Sequence, residues 1–325
     1  MGCGFVHSET ILIHTGGKPM LPHVHILLCT KDGGAFLAPQ LHSILTQTHQ
    51  DWSLWISDDG STDQTVPEIE RFIANHPDRE IRLLQGPKKG CAQNFMSLLA
   101  QPELDGAWVA FADQDDIWMP HKLGRAVDMI WRGTGAQIYA SRSVYTDSCL
   151  NVIGMSPRYQ RPFEFGNALV QNVLNGNTIV IPPMITDFLR STVGFSVQAN
   201  VPFHDWWVYQ MVTGAGFDVI HDAKPGIFYR QHENNILGAQ RINVMHRAML
   251  VIQRIFVDWV DRNVMVLNDL APVLTKPSRR LLFNFIDWRT QTTPILRAAP
   301  QSIGVYRQSQ SGDLALRALG WMGGV

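Results

Sequence analysis

The chain has 325 residues, of which 45% are hydrophobic, and its formal net charge at pH 7 is −1. That length is ample for one large hydrophobic core or for two subdomains. Basic and acidic residues are mixed without a long run of one sign, so a basic face is missing, which argues against nucleic-acid binding as the main role.

The cysteines and the N-terminal residues bear on the cellular location. The 4 cysteines are scattered without C-x-x-C spacing, which argues against a zinc site or a disulfide framework and fits a reducing compartment. Apolar runs stay below the ~20 residues that span a bilayer. Residues 1–23 lack the charged start and apolar core of a secretion signal. We therefore expect a poorly ordered leader on a cytoplasmic protein, with peripheral contact to the inner face of the membrane as an open alternative.

The first predicted strand, residues 25–29, ends in a polar turn at 30–34 that contains Asp32. Apolar side chains at helical spacing follow over residues 35–48. Phosphate-binding loops of the G-x-G-x-x-G or G-x-x-x-x-G-K-[ST] type are absent from the sequence. We therefore expect phosphate charge to be handled by a metal ion rather than by a glycine loop.

The second predicted strand, residues 53–57, ends in an acidic turn that begins with Asp58 and Asp59, and a helix follows over 62–75. Ser61 or Thr62 can cap that helix, so part of the turn is structural. Capping needs one short polar side chain and does not account for a pair of aspartates before a glycine. A carboxylate held at a strand end can accept hydrogen bonds from a nucleobase or from ribose hydroxyls.

The most acidic turn follows the apolar run 108–111 and contains Asp113, Asp115 and Asp116. Carboxylates this close repel one another and remain ionised together most easily around a cation. Such oxygen ligands suit Mg²⁺ or Mn²⁺, which are commonly shared with substrate phosphates. The alternative interpretation is an acidic turn in which Asp116 caps the next helix.

Three predicted strands that end in aspartate turns, each followed by a helical segment, predict an α/β fold with its ligand edge at those turns. Another strand, over 80–84, lies between the second and the last of these in the chain and is followed by a helix over 92–100. A further helix is predicted over 120–131. Two more strands are predicted at 137–141 and 143–147. The sequence is least regular beyond them, up to residue 200, where prolines and glycines are frequent.

Two helical segments are predicted after residue 240. Residues 241–262 carry an apolar stripe opposite charged residues, the pattern of a helix with one buried face. The segment Arg279–Arg289 sets apolar side chains beside arginines. That composition can lie on an anionic membrane surface, although it is more often an ordinary helix packed on its own domain.

Four ordered motifs, at residues 29–33, 58–63, 111–116 and 204–207, resemble those of family 2 glycosyltransferases of the GT-A fold, and especially the rhamnosyltransferase-like branch. The resemblance implies a Rossmann-like mixed central sheet flanked by helices, with a mainly helical C-terminal extension. The divisions that follow are a leader at 1–23, a GT-A domain at 24–240 with a nucleotide-binding half (24–116) and an acceptor half (117–240), and an extension at 241–325.

The resemblance also implies roles for individual residues. Those placed in the donor nucleotide site are Thr30, Asp32, Asp58, Asp59, Gly90, Asn94 and Asp113. Asp115 is the first choice for a metal ligand and Asp116 is the alternative, while Asp113 would lie near the ribose or the metal. His232 would complete the metal shell as a neutral imidazole, and residues up to Gly238 would form a mobile lid.

The general base is expected on the acceptor side, where His204 and Asp205 begin a predicted helix. Asp205 fits the catalytic acidic residue of the family, but the family commonly has Glu-Asp here, so His204 remains an alternative. The helix N-terminus would lower the pKa of a carboxylate, whereas neighbouring carboxylates and walls formed by Trp206 and Trp207 would raise it. If the tryptophans do not line the site, they belong to the core.

The predicted function is an inverting hexosyltransferase that moves a sugar from a nucleotide-diphosphate donor to a glycan or lipid-linked acceptor in bacterial surface polysaccharide synthesis, with Mg²⁺ or Mn²⁺ as cofactor. The Q-x-x-R-W motif of processive members is absent after residue 205, which favours the addition of one sugar per binding event. The alternatives are a sugar-phosphate nucleotidyltransferase, which would carry a glycine-rich basic loop after the first strand, and a catalytically degenerate glycan-binding or scaffold protein.

Overall fold

The structure is a computed structural model that describes residues 21–232, 245–291 and 299–321. The strands within those ranges are β1 Val24–Thr30, β2 Trp52–Asp58, β3 Ile81–Gln85, β4 Trp108–Asp113, β5 Ile117–Trp118, β6 Gln137–Thr146, β7 Val152–Met155, β8 Val180–Ile181 and β9 Asp218–Arg230. The helices are α1 Gly34–Leu45, α2 Thr65–Asn75, α3 Cys91–Leu99, α4 Lys122–Arg132, α5 Phe165–Ala168, α6 Pro183–Gln198, α7 His204–Gly214, α8 Met245–Asp269, α9 Lys276–Thr290 and α10 Gln310–Trp321.

The strands of the described ranges form one 9-stranded sheet in the order β3-β2-β1-β4-β8-β6-β9-β5, with β7 paired to β6. The first four strands in this order are parallel, whereas β8 runs antiparallel to both of its neighbours. Strand β9 is parallel to β6, and the short β5 is antiparallel to β9. The sheet is therefore mixed and flanked by helices, which confirms the predicted fold class.

The register of β1, β2 and β4 brings the three predicted aspartate turns to one edge. Thr30 lies opposite Asp58, and Cys29, one residue earlier, lies opposite Asp113. Carboxyl ends of parallel strands therefore meet where a ligand is expected in an open α/β sheet.

Two apolar clusters cover the two faces of the sheet. One contains side chains of α1, α2 and α4, and the other contains side chains of α3, α6, α7, α8 and α9. In α1 the buried residues Leu37, Leu41 and Ile44 recur at helical spacing, so one stripe of the helix lies on the sheet. Described side chains of α8, α9 and α10, from Phe256 to Leu319, also belong to the second cluster or pack against it.

Several predicted elements have different bounds in the structure. The two strands predicted at 137–147 are one strand, β6, because its irregular pairing with β9 lets the chain continue past residue 142. The region predicted as irregular contains the 16-residue helix α6, which begins at Pro183, a position where proline is tolerated. The predicted helix at 241–262 is α8, which continues to Asp269, while residues 241–244 lie outside the described ranges.

The apolar stripe of α9 is buried in the protein. Leu282, Phe285 and Trp288 are at most 3% exposed, and Arg289 pairs with Asp261 of α8. Of the two interpretations of this segment, the structure therefore favours packing on its own domain. No helix in the described ranges is both long enough and apolar enough to cross a bilayer.

Candidate active site

Asp58 is bonded inside the turn that follows β2. Its Oδ1 accepts hydrogen bonds from Thr30 Oγ1 (2.9 Å) and Ser61 Oγ (2.5 Å), and its Oδ2 accepts from the backbone N–H groups of Gly60 (3.0 Å) and Ser61 (2.8 Å). A carboxylate has about four lone-pair sites. The accepting capacity of Asp58 is therefore used within the protein.

Asp59 holds the next turn along the edge. Its Oδ1 accepts from the backbone of Lys88 (2.5 Å) and its Oδ2 accepts from the backbone of Gly90 (2.7 Å). Gly90 has φ +91°, in the left-handed region that favours glycine. Each oxygen of Asp59 accepts one hydrogen bond in these contacts, so lone pairs remain for a ligand.

Asn94 lies beneath these turns as an anchor for α3. Its Nδ2 donates to the Ser57 carbonyl (2.8 Å), its Oδ1 accepts from Ser57 Oγ (2.6 Å), and the residue is 1% exposed. A Cβ at Gly86 would lie 2.7 Å from that same Oδ1. Asn94 therefore ties α3 to β2 from inside the protein.

Asp32 stands at the exposed rim of the same edge. Its Oδ1 accepts from the backbone N–H of Thr62 (2.8 Å), and its Oδ2 lies 3.4 Å from Lys31 Nζ. The hydrogen bond from the Thr62 backbone is the main cause that lowers the pKa of Asp32. The structure thus brings Thr30, Asp32 and Asp59 to one rim of the sheet, and their role in donor binding stays a prediction.

Gln114 connects the acidic turn after β4 to the turn after β1, a role that the sequence analysis missed. Its Oε1 accepts from the Lys31 N–H (2.9 Å) and its Nε2 donates to the Lys31 carbonyl (3.0 Å). A Cβ on Gly33 would lie 2.1 Å from Gln114 Oε1, so glycine is required for this approach. In the sequence Gln114 stands between two aspartates, and nothing around it predicts this contact.

Asp116 points into the protein and is 0% exposed. Its Oδ2 accepts from Asn177 Nδ2 and its Oδ1 accepts from the Arg230 backbone N–H (3.2 Å). Burial, followed by the charges of Asp115 and Asp113, raises the pKa of Asp116 well above its usual value. The orientation favours Asp115 over Asp116 as a ligand for a cation in the expected ligand cleft, the space beyond the carboxyl ends of β1, β2 and β4.

Asp113 and Asp115 are only partly buried, in contrast to Asp116. Burial and the nearby carboxylates of Asp115 and Asp205 raise the pKa of Asp113 to about 8. Asp115 Oδ2 lies 2.7 Å from His232 Nε2, and both side chains are less than one-fifth exposed. Asp113, Asp115 and Asp205 therefore form one electrostatic group, with His232 in contact with it.

The end of β9 is fixed over the acidic turn by Phe36 of α1. The His232 ring stacks on Phe36 with centroids 4.8 Å apart, and the Arg230 guanidinium lies 4.7 Å from the same ring centroid. Arg230 Nε also donates to the Asp115 carbonyl (2.9 Å). The predicted lid, residues up to Gly238, lies outside the described ranges after 232.

The donor set around Asp115 fits a divalent cation by its chemistry. In the described ranges no group of three or more histidine, cysteine, aspartate or glutamate side chains is arranged to hold a metal. However, the imidazole of His232 and the carboxylate of Asp115 contact each other directly, and both are ligand types that Mn²⁺ accepts. A cation held by few protein ligands completes its shell with oxygens of a phosphate ligand or water.

Lys122 places a buried amino group near the acidic turn, which the sequence analysis did not anticipate. The residue is 0% exposed, and its Nζ lies 3.3 Å from the centroid of the Trp118 ring. Burial lowers the pKa of Lys122, while Asp116 and Asp113 act in the opposite direction. Within the described ranges its Nζ has no hydrogen-bond partner, so it interacts with Asp116 and Asp113 only through space.

Asp205 is the second residue of α7, and its charge acts on Asp113 of the acidic turn. Its Oδ2 accepts from the Gly176 N–H (3.1 Å), and its Oδ1 accepts from the Trp206 N–H (2.8 Å). Gly176 is the first residue of a short 3₁₀ turn, Gly176–Thr178, and Asn177 is the second. Adjacent residues of one turn thus hold Asp205 and Asp116.

His204 lies in the core behind Asp205 and is 7% exposed. Its ring stacks on Phe95 (centroids 3.9 Å apart) and meets Phe111 edge-on (5.2 Å). Burial lowers the pKa of His204. Trp206 and Trp207 are also buried, at 2% and 0% exposed, so they are core residues and do not wall the cleft.

Comparison with known proteins relates this geometry to a family. Residues 25–190 match Glycosyl transferase family 2. The dTDP-rhamnosyl transferase RfbG of Shigella flexneri is 31% identical over 219 residues, which cover 65% of this chain and 74% of that protein. An Escherichia coli protein, the UDP-Glc:alpha-D-GlcNAc-diphosphoundecaprenol beta-1,3-glucosyltransferase WfgD, is 27% identical over 128 residues, which cover 39% of this chain and 48% of that protein.

A solved structure supports the same assignment of the fold. The mannosyltransferase PcManGT of Pyrobaculum calidifontis, in complex with GDP-Man and Mn²⁺, superposes with a TM-score of 0.52 at 13% identity and covers 94% of this chain and 86% of that one. The similarity that the motifs indicated is thus confirmed at the level of family and fold. This chain belongs to Glycosyl transferase family 2 and has the GT-A fold.

Proposed function

We propose that this glycosyltransferase is an inverting, non-processive and metal-dependent hexosyltransferase that moves one sugar from a nucleoside-diphosphate donor to a glycan or lipid-linked acceptor in bacterial surface polysaccharide synthesis. The observation that supports this most directly is the Gly176–Thr178 turn, which holds Asp205 through Gly176 and Asp116 through Asn177. A base for the acceptor and an acidic motif for the donor diphosphate are thereby supported from one element.

The donor nucleotide is proposed to lie over the rim formed by Thr30, Asp32 and Asp59, with Gly90 shaping its floor and the buried Asn94 supporting that floor from inside the protein. Asp59 rather than Asp58 is the better candidate for the contact with the base or ribose. Asp58 already accepts four hydrogen bonds, whereas Asp59 accepts two and keeps lone pairs for a ligand. Among donors, dTDP-rhamnose is the first to test, because one relative is named a dTDP-rhamnosyl transferase.

The cation is proposed to be held by Asp115 and His232, with Asp113 beside it. When bound, Mg²⁺ or Mn²⁺ neutralises charge on the departing diphosphate. The protein contributes the orientation of its ligands, because Arg230 fixes the Asp115 backbone and Phe36 fixes the His232 ring. Asp116 supports the turn from below through its bonds to Asn177 and the Arg230 backbone.

Asp205 is proposed as the general base. The acceptor hydroxyl gives its proton to the Asp205 carboxylate, its oxygen bonds to the anomeric carbon, and the bond from that carbon to the diphosphate oxygen breaks, with inversion at the carbon. The Gly176 N–H fixes the orientation of the carboxylate. His204 is buried between Phe95 and Phe111, which suits a positioning role behind Asp205 rather than proton transfer.

The two alternative functions receive less support. A nucleotidyltransferase would need a glycine-rich basic loop after the first strand, but here that turn is short and Gln114 packs on Gly33. A degenerate binding protein would tolerate loss of an acidic motif, yet all three acidic turns are present, and the turn after β1 is hydrogen-bonded to each of the other two.

Calorimetry and product analysis test the proposal. Binding of dTDP, UDP and GDP should each be measured with Mn²⁺ and again with EDTA, and at least one nucleotide should bind more tightly with Mn²⁺. Asp115→Asn should remove that difference, while the exposed Asp128→Asn should keep it. Equal affinity with and without the cation would contradict metal dependence, and retention of configuration in the NMR spectrum of the product would contradict direct displacement.

A further inference from the structure

The hairpin formed by β6 and β7 carries an exposed apolar ribbon, which we define as residues 148–155. Leu150, Val152, Ile153 and Met155 are 39%, 64%, 59% and 46% exposed. Successive side chains of a strand point to opposite faces, so the exposure of both Val152 and Ile153 means that the ribbon is uncovered on both sides. An apolar segment of this kind indicates an interaction surface.

The ribbon is held in one conformation by Asp147. That carboxylate accepts hydrogen bonds from the backbone of Cys149 (2.9 Å), from the backbone of Asn151 (2.9 Å) and from Asn151 Nδ2 (2.9 Å). Leu150 has φ +68°, a conformation that is unfavourable for a leucine. The hydrogen bonds of Asp147 thus present an apolar side chain at the tip, where asparagine or glycine would be more stable.

The ribbon is also uncharged and connected to the site. Residues 148–155 contain no acidic or basic side chain, and the exposed Arg158 follows them. Arg230 donates from Nη1 to the Ser148 carbonyl (2.6 Å) and from Nε to the Asp115 carbonyl (2.9 Å). One buried guanidinium therefore joins the ribbon to the acidic turn.

The small size of the ribbon favours a membrane over a protein as its binding partner. A stable protein interface buries about 800 Å² and roughly 20–30 residues on each side, whereas β7 has 4 residues. A membrane surface needs only a few apolar side chains among its headgroups, and a basic residue such as Arg158 can contact anionic lipid. A second copy of the chain held by the ribbon alone would be too small an interface.

We propose that the ribbon inserts into the headgroup region of an anionic bilayer, so that a lipid-linked acceptor meets the cleft at the membrane surface. This inference rests on the proposed function, because it names the lipid-linked class among its acceptors. The sequence analysis considered membrane contact for α9, but the apolar stripe of that helix is buried. The proposal assigns the contact to the β6–β7 hairpin instead.

Co-sedimentation of the full chain with vesicles of phosphatidylethanolamine and phosphatidylglycerol tests the proposal. The double variant Val152→Asp, Ile153→Asp should lower the partition coefficient by roughly 100-fold or more, since each aliphatic side chain is worth about 10-fold. The control Met184→Asp, Leu314→Asp changes two side chains that are 51% and 66% exposed elsewhere, and it should sediment like the wild type.

Nucleotide binding separates this inference from the proposed function. Calorimetry with dTDP, UDP and GDP in Mn²⁺ should give the same result for both double variants and the wild type. If none of the three proteins binds any of the nucleotides, that result would count against the proposed function alone. The ribbon proposal is overturned if the wild type does not sediment, if both double variants sediment equally, or if ultracentrifugation reveals a wild-type dimer that the ribbon variant abolishes.

Discussion

Gly176 and Asn177 are consecutive residues of one 3₁₀ turn, and each holds a different carboxylate of the site. The Gly176 N–H donates to Asp205, and Asn177 Nδ2 donates to Asp116. The acceptor side and the acidic motif are therefore coupled through one peptide unit. A change in this turn should affect both the stability of the protein and the binding of the donor.

Replacing Asn177 tests that coupling. Asn177→Leu keeps a similar volume but leaves the buried Asp116 with one hydrogen bond fewer, so the free energy of unfolding should fall by about 1–3 kcal/mol. Because Asp116 supports the turn that carries Asp115, nucleotide affinity in Mn²⁺ should fall roughly 10-fold. Denaturant unfolding and calorimetry measure the two effects. Asn172→Ala, which removes one hydrogen bond to the Leu174 backbone nearby, is the control and should leave nucleotide affinity unchanged.

The general base is tested by Asp205→Asn. The amide keeps the shape but loses the basicity, so kcat should fall by about 10²–10⁴, the usual contribution of a general base, while donor affinity changes little. His204→Phe retains the aromatic stack with Phe95 and should keep most of the turnover. Near-normal turnover in the Asn variant together with an inactive Phe variant would reverse the two assignments.

Asp58 and Asp59 should respond differently to the same substitution. Asp58→Asn replaces an acceptor of four hydrogen bonds inside the protein, so its main effect should be a loss of stability. Asp59→Asn should instead weaken nucleotide binding by about 1–3 kcal/mol, the scale of a hydrogen bond to a charged group. Thermal unfolding and calorimetry on both variants separate these effects. Equal nucleotide affinity in wild type and Asp59→Asn would assign Asp59 only to the support of residues 88–90.

The ion pair of the buried Asp222 with the partly exposed Arg125, away from the acidic turns, should make stability depend on pH. Burial by itself raises the pKa of Asp222, but hydrogen bonds from Arg125, the Lys224 backbone and Tyr139 outweigh it, and the net pKa lies below the usual value. A lowered folded-state pKa stabilises the protein above the unfolded-state pKa, which is about 3.9 for aspartate. That contribution is lost as the pH falls through the folded-state pKa.

Asp222→Asn should therefore reduce the free energy of unfolding near neutral pH by about 1.5–3 kcal/mol, and the difference from wild type should shrink below roughly pH 4. Denaturant unfolding across that pH range measures it. Asp128→Asn, in the exposed pair with Arg132, is the control and should change stability by less than about 1 kcal/mol. A difference that stays constant down to pH 2 would contradict the assigned role of the Asp222 charge.

Part of the site could be predicted because its signals are local. Apolar runs followed by aspartate turns identified β1, β2 and β4 and placed Asp32, Asp59 and Asp113 at one edge. The start of α7 could be predicted in the same way, because Asp205 precedes an apolar helical segment. The periodicity of strands and helices, and the turns between them, depend on residues that are close in sequence. These elements can therefore be predicted from a single sequence.

Only the tertiary structure shows which residues of each motif bond within the protein and which remain available to a ligand. Gln114 bonds to Lys31 across 83 residues, and Asn177 bonds to Asp116 across 61. Contacts at such separations depend on how the strands are ordered in the sheet, and no local pattern encodes that order. The same holds for burial, which placed His204 and both tryptophans of α7 in the core.

The sequence by itself determined the fold class, the family and the edge of the sheet at which ligands are expected, because these follow from short-range patterns and ordered motifs. Only the tertiary structure decided that Asp58 is saturated while Asp59 is not, that Asp116 points inward while Asp115 contacts His232, and that the apolar side chains of the β6–β7 ribbon are exposed. Each of these depends on which polar groups are already paired and which apolar groups are already covered, and both are settled only when distant segments pack together.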